Sequence, residues 1–169
     1  MDVDPVSSPE ARETAWQIHA AVADWTGKVD AKAAFALTLE SALLAGVAAV
    51  ASADHRLARM GGGVGALLWT GIALVVVGTA LAVLVVTPRV RPKDVVGEAS
   101  QNFIFFGHLQ YWRAIDLERA LENTDPLPVL SRQLVVTSKI AWEKHSYVKW
   151  SFRSAATGGL LVFLAFMLS

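Results

Sequence analysis

The stretch that most constrains this chain is residues 64–87, VGALLWTGIALVVVGTALAVLVVT, twenty-four residues without a charge. As a helix it reaches about 36 Å, enough to cross a hydrocarbon core of about 30 Å with some tilt. A helix bathed in water needs a polar stripe. This one is apolar all round apart from Thr70, Thr79 and its glycines, which membrane helices tolerate. The run predicts a membrane span. Hydrophobic residues make up 54% of the 169, and mean hydropathy is +0.43. Three membrane-length segments would account for that excess.

Two further runs supply them. Residues 33–53, AAFALTLESALLAGVAAVASA, carry a single charge, Glu40, about two helical turns inside. Ionisable groups at the centre of a membrane helix cost roughly 2.5 to 3.5 kcal/mol on insertion scales, so Glu40 is expected to face another helix or water. Two readings stand side by side: a pore-lining or proton-responsive carboxyl, or a protonated or hydrogen-bonded side chain packed within reach of Lys32 or Ser41. The connection at residues 54–63, DHRLARMGGG, is short and ends in three glycines, which predicts an antiparallel hairpin of the two spans. Gly46, Gly71 and Gly78 would let backbones approach closely, although none of the three belongs to a GxxxG. Residues 154–169, SAATGGLLVFLAFMLS, are uncharged but reach only about 24 Å as a helix. With residues 150–153 included and Arg153 snorkelling to the interface, the segment becomes long enough to span; a re-entrant or interfacial end is the alternative.

The remaining segments are polar enough to face water. Ser8-Pro9-Glu10 reads as a helix start, with Ser8 capping and Pro9 at the first helical position, where its missing N–H is no loss. Ala11, Ala15, Ile18, Val22, Trp25 and Val29 then form an apolar seam, opposed by Arg12, Glu13, Gln17 and Lys28. After Thr87 the chain turns to PRVRPKD, where Pro88 and Pro92 oppose helix and Arg89, Arg91 and Lys93 form a basic collar. Two helices are predicted beyond it, over about 95–122 and 129–152, divided by the breaker at residues 123–128. The second could run on unbroken to residue 168. Phe105-Phe106-Gly107 is expected to need burial, and Trp142, Tyr147 and Trp150 to form an interfacial aromatic belt. Of fifteen basic residues, three precede the first span, two lie in the hairpin connection and ten fall within residues 88–153. The positive-inside bias then puts the N-terminus and residues 88–152 in the cytoplasm. The expected fold is an all-α membrane protein. Residues 1–32 form an N-terminal amphipathic cytosolic helix, 33–87 a transmembrane helical hairpin, 88–152 a cytosolic helical region, and 153–169 a C-terminal third transmembrane helix.

Chemistry is sparse. With no cysteine there are no disulfides, thiolate ligands or thiol nucleophiles. His19, His55, His108 and His145 lie in four different segments, none paired at metal-ligand spacing, so no metal site is expected. G-x-S-x-G, P-loop, Rossmann and H-E-x-x-H patterns do not occur, and Gly61-Gly62-Gly63 lacks the lysine a phosphate loop requires. No enzyme is expected, and a net charge of zero removes any global argument for nucleic acid.

The order of parts is nonetheless distinctive: an amphipathic helix, then Asp30-Ala31-Lys32-Ala33 at the entrance to a membrane hairpin, and then a Pro-Arg exit. After these come residues 102–107 with their FFG, residues 130–133, and residues 141–147 with a lysine and a tyrosine. This resembles the Pycsar transmembrane effectors, small bacterial membrane proteins encoded beside a pyrimidine cyclase, over roughly residues 12–168. The resemblance implies antiphage defence in the inner membrane. The cyclase makes cyclic UMP or cyclic CMP, and the effector, presumed to act as a homo-oligomer in the bilayer, impairs the membrane in an abortive infection. No cofactor is implied beyond that nucleotide as an activating ligand. The chain has no β-roll nucleotide-binding domain, so any sensing would fall to its helices. Lys32, Arg132 and Lys144 are then the candidate charge partners of the phosphate, and Phe106 and Tyr147 the candidate stacking groups. For each, membrane-edge charge or core packing is the alternative. A membrane-anchored interaction module, or a small channel or transporter subunit, remains the rival reading.

Overall fold

The computed structural model describes residues 7–53, 61–88 and 97–169. These residues are almost wholly helical: α1 (Pro9–Ala53), α2 (Gly62–Val86), a 3₁₀ turn (Ala99–Gln101), and helices α3 (Phe106–Leu109), α4 (Ala114–Asn123) and α5 (Pro126–Met167). Three of them, α1, α2 and α5, are long and apolar enough to cross a membrane. The hairpin connection at 54–60, with Arg56 and Arg59, and the basic collar of Arg89, Arg91 and Lys93 lie outside the described residues.

Helix α1 starts where the cap chemistry predicts. Ser8 Oγ accepts the N–H of Ala11 at 3.2 Å, with Pro9 as first helical residue. The amphipathic segment and the first apolar run are one unbroken helix of 45 residues, because nothing between Val22 and Ala36 opposes helix except Gly27. Its buried side is narrower than the predicted seam. Ala15, Val22, Val29, Ala33, Ala36 and Glu40 are buried, whereas Ile18 and Trp25 are exposed. The periodicity was right, but the stripe turns on positions seven apart.

The described residues divide into two compact units. One comprises Gly27–Thr87 and Glu143–Ser169. Here Gly65, Leu68, Gly71, Val75, Gly78, Ala82 and Val85 make a buried stripe on α2 at spacings of three and four. On α5 the matching stripe is Lys144, Val148, Ser151, Gly158, Val162 and Ala165. The glycines make room for backbone. A Cβ on Gly71 would lie 2.8 Å from the Gly158 carbonyl oxygen, and one on Gly158 would lie 2.6 Å from that of Gly71. Small residues allowing such approach are the usual way helices pack where lipid offers no hydrophobic drive. Gly46 has open space around it and makes no such approach. Two threonine hydroxyls in these helices return to their own backbone: Thr79 donates to the carbonyl of Val75 and Thr38 to that of Ala34.

The other unit comprises the described parts of Met1–Thr26 and Pro88–Trp142. Among the described residues, the helix predicted over about 95–122 is instead broken into short pieces. Asn102 takes an extended conformation, and its Oδ1 accepts the N–H groups of Ile104 and Phe105. A buried asparagine serving local backbone in this way competes with helix. Its carbonyl accepts the Trp112 indole N–H at 3.2 Å, and Phe103 packs edge-on to Trp112. Of the FFG residues, Gly107 is buried and Phe105 half-buried, but Phe106 is 71% exposed. Asp125 caps α5 by accepting the N–H of Leu127, and the helix runs unbroken to Met167. The continuous last helix expected from the sequence is therefore present.

Candidate functional site

Apolar helices in contact need no charge, so the polar groups buried among them carry the most information. In the unit of residues 27–87 and 143–169 they fall at two levels. At the first, the Lys144 ammonium donates to both carboxylate oxygens of Asp30, at 2.7 and 2.9 Å. The lysine side chain is 10% exposed and the aspartate 40%. Beside the pair, Val29, Ala33, Val85 and Val148 form a buried cluster with Tyr147 packed against it. The contact thus joins α1 to α5 where α2 ends.

Glu40 marks the second level. It is 3% exposed, and its Oε1 accepts the Ser151 hydroxyl at 2.9 Å. A Cβ on Gly78 would lie 3.1 Å from that oxygen, so the glycine admits the carboxyl among three helices. One turn along, Ser154 Oγ donates to the carbonyl of Leu74 at 2.8 Å, a side chain of α5 on the backbone of α2. The expected local partners of Glu40, Lys32 and Ser41, are not the ones used. Both lie on exposed sides of α1, while the carboxyl points along the buried stripe. Oε2 of Glu40 is buried without a hydrogen-bond partner.

The five residues nominated for ligand contact divide between the units. Lys32, Lys144 and Tyr147 belong to the one with Glu40, with Lys32 exposed, Lys144 buried on Asp30 and Tyr147 half-buried. Arg132 and Phe106 belong to the other unit, and both are exposed. His108 is buried there, edge-on to Phe105, with Nδ1 unpartnered. Among the described residues no cluster of His, Asp or Glu could hold a metal ion. Asp30 entered the sequence reading only as part of the Asp30-Ala31-Lys32-Ala33 motif, with no role, and Ser151, Ser154 and Gly158 escaped it. The available signal was the recurrence of Lys144, Ser151 and Gly158 every seven residues, which puts all three on one side of α5.

Outside the apolar helices one further carboxylate is notable. Asp125 accepts the Ser7 hydroxyl at 2.7 Å, the Ser7 N–H at 2.9 Å and the Leu127 N–H at 3.0 Å. These bonds favour the ionised form and hold its carboxyl below the ordinary value, with the Arg12 charge adding to them.

A family model described as the Pycsar effector protein domain matches residues 14–169. No curated protein and no solved structure matches the chain.

Proposed function

The chain belongs to the Pycsar effector protein domain family, and from that premise we propose that it is a membrane effector of antiphage defence, opened by a cyclic pyrimidine nucleotide. The observation that carries this reading is the coincidence of a family match over nearly the whole chain with three helices long enough to cross a bilayer. In this reading residues 33–53, 64–87 and 153–169 lie in the inner membrane, with the N-terminus and residues 88–152 in the cytoplasm. Support for that orientation is the ten of fifteen basic residues found in 88–153.

The input is proposed to be the Asp30–Lys144 contact. Lys144 already holds an anion, and the phosphate of cyclic UMP or cyclic CMP offers the same charge with more acceptor oxygens. Exposed Lys32 stands two residues from Asp30, and Tyr147 one turn from Lys144. A nucleotide that takes Lys144 from Asp30 releases α5 from α1 beside the end of α2, and the three apolar helices repack. The adjacent pyrimidine cyclase is the functional partner, and loss of inner-membrane integrity is the output.

Dye efflux from lipid vesicles carrying the purified full chain tests this. Efflux is expected on adding cyclic UMP or cyclic CMP and not with AMP. Vesicles that stay sealed with both cyclic nucleotides contradict the reading.

A further inference from the structure

Between Ala36, Leu39 and Leu43 of α1 and Phe152, Ala155 and Ala156 of α5 lies an open groove of about 240 Å³, also lined by Glu40. Its walls are apolar, and half of the apolar residues in them are alanines. The one polar group in it is a carboxyl that is 3% exposed and keeps one oxygen, Oε2, without a hydrogen bond. A buried acceptor left without a partner is destabilising, and hydrocarbon offers it no donor. The opposite defect lies elsewhere on α5. Arg153 is exposed on a helix whose following sixteen residues are uncharged, and it makes no ion pair among the described residues. Its guanidinium rests over the Trp150 ring, 5.3 Å from the centroid.

The two groups share a level. Helices α1 and α5 run in the same direction, and the separation of 114 positions that pairs Asp30 with Lys144 brings Arg153 level with Leu39, one residue from Glu40. Side chains on both helices lean toward their N-termini, so the charged ends stay level as well. Copies of a chain arranged about an axis normal to a bilayer keep every residue at its own depth. A neighbour therefore presents Arg153 at the level of this copy's Glu40.

We propose that the groove is occupied by a second copy of this chain, which enters with the Arg153 side of α5 and donates its guanidinium to Oε2 of Glu40. The small residues Ala36, Ala155 and Ala156 let that helix approach, and Trp150 travels with the arginine. The surface offered and the surface received differ, so the contact is head-to-tail and repeats from copy to copy. It satisfies the orphaned acceptor and removes an unpaired cation from the lipid face together. This inference rests on the reading of these helices as membrane-spanning, but it requires neither nucleotide nor leakage.

Because the chain has no cysteine, engineered pairs can be read without background. Leu43→Cys lies in the groove, and Thr157→Cys lies one turn beyond Arg153 at the level of Leu43. The two variants are to be reconstituted together in phosphatidylethanolamine–phosphatidylglycerol vesicles and oxidised. The mixture is expected to give disulfide-linked dimers and each variant alone none, while the double variant gives a ladder. Adding Arg153→Gln is expected to lower the yield at least about tenfold, with Arg153→Lys retaining most of it. Dimers from Leu43→Cys alone, inserted protein that never cross-links, or a yield untouched by Arg153→Gln would overturn the proposal. Recovery of the chain in the soluble fraction would overturn both this and the membrane reading, which keeps the two failures apart.

Discussion

The two units of this chain are held together by opposite means. Residues 27–87 and 143–169 rely on long periodic stripes in which small residues let backbone meet backbone, and the few polar groups bridge helices: Lys144 to Asp30, Ser151 to Glu40, Ser154 to the Leu74 carbonyl. In the other unit, short pieces are fastened by local bonds from Asn102, α4 buries no residue at all, and a long-range polar bridge is the pair of bonds from Ser7 to Asp125. The ion pairs there from Arg113 and Arg119 to Asp116 are long and exposed and contribute little. Long-range order in the first unit suits a device that repacks as a whole; the local order of residues 97–123 in the second suits a surface whose parts can change separately.

That contrast can be broken at several points. The largest effect is expected from Gly158→Leu, whose Cβ would lie 2.6 Å from the Gly71 carbonyl with only backbone to give way. It should cost about 3 kcal/mol in detergent-micelle unfolding, with amide exchange across 97–142 unchanged. Lys144→Met comes next, at roughly 2 kcal/mol by the same unfolding, discounted because the stranded Asp30 side chain is 40% exposed. Asn102→Ala should cost about 1 kcal/mol, with faster exchange confined to the neighbourhood of Ile104, Phe105 and Trp112. An effect as large as that of Gly158→Leu would erase the distinction between the units.

The smallest effect is set by acid. The Asp125 carboxyl is held below its ordinary value of 3.8, so its bonds to Ser7 and Leu127 contribute fully above that pH and are lost as pH falls through the lowered folded value. Exchange at Ser7 and Leu127 should quicken only below about pH 4, and in Asp125→Asn it should be pH-independent over the same window.

How much of this was legible in the sequence follows from the same contrast. Composition and run length were enough for the three apolar helices, and cap chemistry for the start of α1 at Ser8-Pro9, because those signals are local; α5, expected from about residue 129, begins at Pro126 inside the stretch read as a breaker, since Asp125 caps it and a proline in the first turn gives up no helical hydrogen bond. The partner of Glu40 was not legible, since Ser151 lies 111 positions away. Residues 95–122 misled because the density of apolar side chains suggested one helix. The Asn102 side chain binding its own backbone is a competing local choice that periodicity does not register. Phe106 was expected inside on hydrophobicity alone, yet it is its neighbours that turn inward: Gly107 is buried and Phe105 lies edge-on to the buried His108.

The central claim is that the Asp30–Lys144 contact keeps the three apolar helices closed until an anion replaces the aspartate. Asp30→Asn removes the internal anion while leaving Lys144 in place, so dye efflux from vesicles carrying that variant tests the claim most directly. The account predicts leakage without any nucleotide, where the wild-type chain stays sealed until cyclic UMP or cyclic CMP is added. An Asp30→Asn chain that is inserted, folded and as tight as wild type in the absence of nucleotide would contradict it.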